Sequence, residues 1–332
     1  MMLAGDIGGT KTVLAIFQRD AAAGGLVATR EARYPSGSYA SLDDIVRAFL
    51  ADGPERPTAA CFGVAGPVAD GKAKITNLPW VIDASAMAAA FGFAEVRLLN
   101  DLQAAAYGAL QLGPDQLAVL QPGTPGAAPG NVAVVAPGTG LGEAILFWDG
   151  TRYHALPSEG GHTDFAPQTD REVRLLIYLR QRLGGHVSWE RILSGAGLGH
   201  LYDFLRDVER MDEPPALAAR LAAGDRNAAI SAAGLAKAFP ICAEALSMFA
   251  RLLGAEAGNL ALKCFATGGI VIAGGIPAKI LPALQDDGAF RAGLTDKGRF
   301  SGWVGSLAVR VALDPRAPLI GAAHHLGDSL EL

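Results

Sequence analysis

The sequence predicts an α/β protein of two lobes, and three features of the 332-residue chain predict it. A single core rarely grows beyond about 250–300 residues, so this length calls for two domains with a cleft between them. Short β-branched runs alternate with helical segments along the chain, which is the α/β pattern. Two stretches, one around Gly8 and one around Gly138, share a plan of apolar strand, glycine turn and apolar strand, and read as an internal repeat of domain size.

The elements follow in order. Residues 2–17, "MLAGDIGGTKTVLAIF", form two short strands about a glycine turn, because the second half is aliphatic, β-branched and too short for a helix. A helix follows in "SLDDIVRAFLAD" with Ser41 as its cap, then a strand in "AACFGVAG", then a passage from strand to helix in "LLNDLQAAAYG". Residues 131–148 repeat the hairpin. A polar loop around "SEGGHTDFAP" precedes a long helical middle from about 170 to 262, and "TGGIVIAGGIPAKILPAL" reads as strand, glycine turn and helix. "DPRAPLIGAAHHL" is a last helix, free to pack back on the first lobe. The Gly/Pro-rich stretch 113–130 marks the lobe boundary, giving a small lobe of 1–112 plus 312–332 and a large lobe of 113–311.

Composition narrows the function. Half the residues are apolar, 18% are charged and the formal charge is -5, so there is a core to bury but no basic field for nucleic acid or an anionic membrane. A small-molecule partner is expected. Cys61, Cys242 and Cys264 lie far apart without CxxC or Cys/His spacing, which points to neither a disulfide framework nor a structural zinc. The start of the chain carries no signal-like segment, and the longest apolar stretch is broken by Glu244 and Arg251, so a cytoplasmic protein is expected.

Three motifs look built for phosphates and a nucleotide. "GDIGGTKT" departs from a Walker A loop only where Thr10 replaces the second glycine, while Lys11 and Thr12 keep the last two positions. A Walker loop enters a helix, whereas residues 13–17 continue as a strand, so these glycines sit in a hairpin. Gly8 and Gly9 open backbone N–H groups to a phosphate, and the Thr10 and Thr12 hydroxyls add donors. Asp6 brings the carboxylate that a hydrated Mg²⁺ takes. "APGTGLG" places Gly138, Thr139 and Gly140 in a similar turn, and one such turn per lobe would hold a polyphosphate from both sides. In "AGGIP", Gly274 and Gly275 let a flat ring approach the backbone. Taken singly, each motif has an ordinary turn as its alternative.

Two further patterns carry side-chain chemistry. Asn100-Asp101 stands where a strand meets a helix, so Asp101 is either an N-cap or a carboxylate waiting for a proton. Glu159 and His162 are separated by two glycines that let a bent backbone aim both at vicinal hydroxyls, the alternative being a solvated pair.

"DIGGTKT", "APGTGLG" and "AGGI", in that order, resemble the phosphate-1, phosphate-2 and adenosine motifs of the actin-like ATPase superfamily, which includes the sugar kinases. "LLNDLQAAAYG", "SEGGHTDFAP", "ERILSGAGL" and "DKGRF" are similar to bacterial glucokinases, and the similarity runs from the first strand to the terminal helix. The resemblance implies a two-lobed actin-like, ribonuclease H-like fold with an active-site cleft between the lobes. It implies ATP and Mg²⁺ as cofactors and phosphorylation of glucose at its 6-hydroxyl. Asp6, Gly8, Gly9, Thr10, Lys11, Gly138, Thr139, Gly140, Gly274 and Gly275 would meet the nucleotide, with Asp6 also serving the metal. Asn100 would orient the sugar and Asp101 take its proton, while Glu159 and His162 contact the ring. Glu190, in "SWERIL", matches a contact near the anomeric hydroxyl, and Asn77, in "TNLPW", helps to position hydroxyls. Trp80 reads as packing, and His324 and His325 suggest no metal site without further ligands. The zinc-binding cysteine cluster of a sister group of sugar kinases and repressors is missing, and the family implies a homodimer.

The rivals are a kinase for another hexose or N-acetylhexosamine, a sugar-responsive regulator and a non-sugar actin-like ATPase. A regulator would need a DNA-binding module before the first hairpin, where four residues precede Gly5. A non-sugar ATPase has no need for the Asn-Asp pair or the Glu/His loop.

Overall fold

The computed structural model describes residues 1–20, 25–75, 77–286 and 288–329. They divide into two compact units, one of Met1–Gln116, Ala155–Pro157 and Asp314–Leu332, the other of Leu117–His154 and Ser158–Leu313.

In the first unit the chain runs β1 (Met2–Ile7), β2 (Lys11–Arg19), β3 (Leu26–Pro35), α1 (Leu42–Ala51), β4 (Ala59–Val64), β5 (Val68–Ala69), β6 (Lys72–Lys74), β7 (Val81–Asp83), α2 (Ala84–Phe91), β8 (Glu95–Asn100) and α3 (Asp101–Ala109). Its main sheet has the order β3-β2-β1-β4-β8, antiparallel from β3 to β1 and parallel from β1 to β8. Side chains alternate across β1 as the strand period demands. Leu3 and Ile7 pack with Ile45 and Phe49 of α1, while Met2 and Ala4 pack on the opposite face. That second face is covered by Ala104 of α3 and by Leu319, Ala322 and Leu326 of the last helix, α12 (Ala317–Ser329). Ser41 caps α1 by accepting from the Asp44 amide. Trp80 is buried in the same core as Phe49, a packing residue as its sequence context indicated.

The second unit carries β9 (Leu117–Pro122), β10 (Val132–Pro137), β11 (Leu141–Trp148), the ends of β12 (Tyr153–Ser158), whose residues Ala155–Pro157 count with the first unit, α4 (Asp170–Leu183), α5 (Gly195–Asp207), α6 (Pro215–Ala222), α7 (Arg226–Leu235), α8 (Pro240–Cys264), β13 (Gly269–Ile272), α9 (Leu281–Gln285), α10 (Ala289–Thr295), α11 (Ser301–Val304) and β14 (Ala308–Ala312). Its sheet has the order β12-β11-β10-β13-β14-β9. Here β10 pairs antiparallel with β11 and parallel with β13, as β1 does with β2 and β4. The repeat legible in two glycine turns is therefore a repeat of sheet topology. The core lies between β10, β13 and the helices, where Val135 and Ile272 join Leu201, Phe204, Phe249 and Leu253.

Two expectations change. The stretch 113–130 is more than a connection, because β9 inside it pairs antiparallel with β14. After β13 the helix starts only at Leu281, where Pro282 occupies a first-turn position that does not need its missing N–H. The three cysteines are buried and free, and no single described helix is long and apolar enough to cross a membrane.

Candidate active site

The first hairpin closes with the Gly8 amide donating to the Lys11 carbonyl at 3.0 Å. Gly8 and Gly9 are half-buried, and Thr10 and Lys11 are exposed. Ser36 holds the turn from below: its hydroxyl donates to the Gly8 carbonyl at 2.7 Å, and its amide donates to the Thr10 carbonyl at 3.0 Å. Thr12 is fully buried with its Oγ1 3.0 Å from the Ser36 Oγ, so it braces the turn and does not face a ligand, contrary to its sequence reading. Nothing in the local sequence marks Ser36, which meets the hairpin only through pairing of β2 with β3. Asp6, on β1, is half-buried; burial raises its pKa, and the charge of Lys11 across the turn only partly offsets this.

Register brings Asp101 to the same region of this unit. Asp6 pairs with Gly63 of β4, and a Cβ on Gly63 would lie 2.7 Å from the Ala104 Cβ and 4.0 Å from the Asp101 Cα. Gly63 thus lets the first turn of α3 settle against the sheet. The cap of α3 is Asn100: its Oδ1 accepts from the Leu102 amide at 2.9 Å, and the Gln103 side chain accepts from the Asn100 backbone amide at 3.1 Å, closing a capping box. Asp101 is the first helical residue, with Oδ1 accepting from the Leu102 amide at 2.9 Å. The side-chain amide of Asn100 donates to the Gly66 carbonyl at 3.2 Å. Next in sequence, Pro67 lines a cavity of about 440 Å³ together with Lys74, Ile75, Asn77, Leu78 and Pro79. Asn77 is exposed and left-handed at φ 66°, a conformation that asparagine tolerates, so turn geometry alone accounts for an Asn at this position.

In the second unit Pro137 pairs with Leu141, and the Gly138 amide donates to the Gly140 carbonyl at 2.8 Å. A Cβ at Gly138 would meet nothing within 4 Å, so the space over this turn is open, and Thr139 is exposed. Glu190 is half-buried and anchored: its Oε2 accepts from the Leu141 amide at 3.1 Å, and a side chain at Gly140 would collide with it. It is therefore not a solvated residue, and it ties its own 3₁₀ turn to the hairpin. Gly274 adopts φ 85°, which lets the turn after β13 press on the Pro137 carbonyl, while Gly275 faces open space. Amides of Ala273 and Ile276 donate to the carbonyls of Val135 and Pro137 at 2.8 and 3.3 Å, so "APGTGLG" and "AGGIP" form one surface.

Glu159 and His162 do meet. The His162 Nε2 lies 3.8 Å from the Glu159 Oε2, and both side chains are exposed, at 60% and 79% for His162 and Glu159. The intervening glycines serve a different end from the one expected. Neither Gly160 nor Gly161 has a left-handed backbone, but a Cβ on Gly160 would collide with Glu143 and one on Gly161 with the Leu141 carbonyl. They are glycines because the 3₁₀ turn Gly160–His162 lies directly on β11. Glu143, buried under that turn, was passed over in the sequence, although a carboxylate inside the apolar run "GEAILFW" was a visible signal.

Two α/β units, each with a glycine hairpin on a sheet of the same topology, define the actin-like ATPase fold of the sugar kinases. Solved structures agree: a crystal structure of glucokinase from an Antarctic psychrotroph matches at a TM-score of 0.86 and 35% identity, with 98% of each chain covered. A ROK family glucokinase from Streptomyces griseus, solved with glucose and AMPPNP, shares the fold at a TM-score of 0.63 and 22% identity, covering 98% of each chain. The family model for glucokinase matches residues 3–329. Glucokinases of Synechocystis sp. and Nostoc punctiforme are 38% and 40% identical over 97% of this chain and 96% and 98% of theirs. The chain belongs to the glucokinase family.

Proposed function

We propose that this member of the glucokinase family transfers the γ-phosphoryl group of ATP to the 6-hydroxyl of glucose, with Asp101 as general base. The observation that carries the reading is the division of labour at the start of α3. Asn100 closes the capping box, and Asp101, whose Oδ1 shares the Leu102 amide, adds a carboxylate at the first helical position, against β4, the strand that pairs with the one carrying Asp6. A sugar hydroxyl is a weak nucleophile, and phosphoryl transfer needs a carboxylate to accept its proton while the phosphate is held in line.

The remaining residues bind and orient. Amides of the turns at Gly8–Gly9–Thr10 and Gly138–Thr139–Gly140, with Lys11, hold the phosphates, and Gly274 and Gly275 give the adenine ring access to backbone. Asn77, Asn100, Glu159, His162 and Glu190 hold the sugar hydroxyls. Asp6 fits a hydrated Mg²⁺: it is a hard oxygen donor whose burial disfavours its own charge, so a cation beside it restores the ionised form. When bound, the ion neutralises charge that develops on the phosphate oxygens. The family resemblance supports a cytoplasmic homodimer.

The test is a coupled assay of ADP release with ATP and Mg²⁺ across a panel of hexoses and N-acetylhexosamines. Glucose is expected to give the highest kcat/KM. Preference for another sugar would overturn the substrate, and release independent of any sugar would overturn the kinase reading.

A further inference from the structure

Glu143 poses a chemical problem. It lies on β11, is 1% exposed, and no donor reaches either carboxyl oxygen; its polar neighbour is the carboxyl group of Glu256. A buried polar group left without a partner is costly and calls for an explanation. What it touches supplies one: its Oε2 occupies the place a side chain at Gly160 would take, so the carboxyl group is the floor of the turn that presents Glu159 and His162. The turn rests closely on that floor, with Gly161 against the Leu141 carbonyl and the Gly160 amide donating to the Ser158 hydroxyl at 2.9 Å.

We propose that Glu143, with its neighbour Glu256, is a positioning residue that sets the height of the sugar-binding turn. The proposal rests on the reading of Glu159 and His162 as sugar contacts.

The charged groups around it define its state. Glu256 of α8 is fully buried, accepts from the Asn259 side-chain amide at 2.9 Å and lies 3.5 Å from the Lys263 ammonium. Lys297 is a further cation acting on Glu256. On the turn itself stand the exposed Glu159 and His162, and from β10 the residue paired with Glu143 is the apolar Val135. Burial, then the charge of Glu256, push Glu143 up to about 8 against the pull of Lys263. Burial also raises Glu256, yet its two oxygens have Asn259 and Lys263, so the proton that the pair keeps at neutral pH sits on Glu143. A neutral carboxyl group packs under Gly160 like an amide of the same shape. Its ionised form demands water or distance from Glu256, and with β11 fixed in the sheet the yielding part is the turn.

The full-length enzyme tests this through KM for glucose, KM for ATP and kcat, followed across the pH window around 8 for the wild type, Glu143→Gln and Glu256→Gln. If only the protonated fraction binds sugar well, the wild-type KM for glucose rises by up to about tenfold per pH unit above its midpoint, while KM for ATP is unaffected. Glu143→Gln should keep the low-pH KM throughout. Glu256→Gln removes the charge that holds the proton on Glu143, so the midpoint should move to lower pH. A wild-type KM for glucose that stays flat, a Glu143→Gln profile that tracks the wild type, or a midpoint unmoved in Glu256→Gln would overturn the proposal. Thermal melting checks folding, and if Glu143→Gln does not fold, the shift in Glu256→Gln decides. Wild type without glucose-dependent turnover would refute the kinase reading instead, whereas failure of the positioning role leaves that turnover intact.

Discussion

Asn100 and Asp101 are chemically similar and adjacent, yet their helix positions separate their tasks. Asn100 closes a capping box, so replacing it by Ala costs about 1 kcal/mol of local stability besides any effect on sugar. Asp101, one residue on, is the proposed proton acceptor. Asp101→Asn should lower kcat by about 10² to 10⁴ with little change in KM for glucose, because an amide preserves shape and polarity but takes no proton. Glu159→Ala should show the opposite split, a raised KM for glucose with a smaller loss of kcat, since the proposed role of this exposed side chain is to bind sugar hydroxyls. Steady-state kinetics on both variants check the pair, and a kcat for Asp101→Asn near the wild-type value would remove that residue from its role.

The position of α3 depends on glycines at which no turn is made. Gly63 admits the helix against β4, and Gly108 and Gly321 let α3 and α12 pack backbone against backbone. Two alanine substitutions should therefore have different consequences. Gly321→Ala drives a methyl group into the Ala104 carbonyl, which should cost roughly 1–3 kcal/mol of stability, seen as a lower Tm. Gly63→Ala places its methyl 2.7 Å from the Ala104 Cβ, so the first turn of α3 must shift and carry Asp101 with it. A misplacement of about 1 Å can cost roughly 10² in rate, so kcat should fall while KM for ATP is retained. Equal kcat in Gly63→Ala and wild type would show that the helix start has freedom that the packing does not suggest.

Across the whole molecule, one plan is used twice: a β-hairpin with glycines in its turn, extended on its other side by parallel strands. The two hairpins are equipped differently. The first carries a half-buried carboxylate, Asp6, one residue before the end of its leading strand, whereas the equivalent position of the second is Ala136. This asymmetry is why the proposed Mg²⁺ is placed at the first hairpin. Removing divalent cations with EDTA should abolish ADP release, and Mg²⁺ should restore it, while glucose binding followed by calorimetry persists without the ion. Asp6→Asn should raise the Mg²⁺ concentration needed for half-maximal activity, and an unchanged requirement would place the ion elsewhere.

The hairpins, the Ser41 cap, the strand-to-helix passage at Asn100 and the order of the motifs could be read directly from the chain. Each is written in a few consecutive residues: β-branched runs, glycine at a reversal, a hydroxyl or amide before a helix. Glucokinase family membership was legible for the same reason, as a series of short motifs in fixed order. Tertiary structure alone decided that Thr12 braces Ser36, that Gly63 admits α3, that Gly160 and Gly161 are glycines for want of space and that Glu143 lies beneath them. Those facts depend on strand register and on which backbone approaches which, and such contacts join residues that no local period relates.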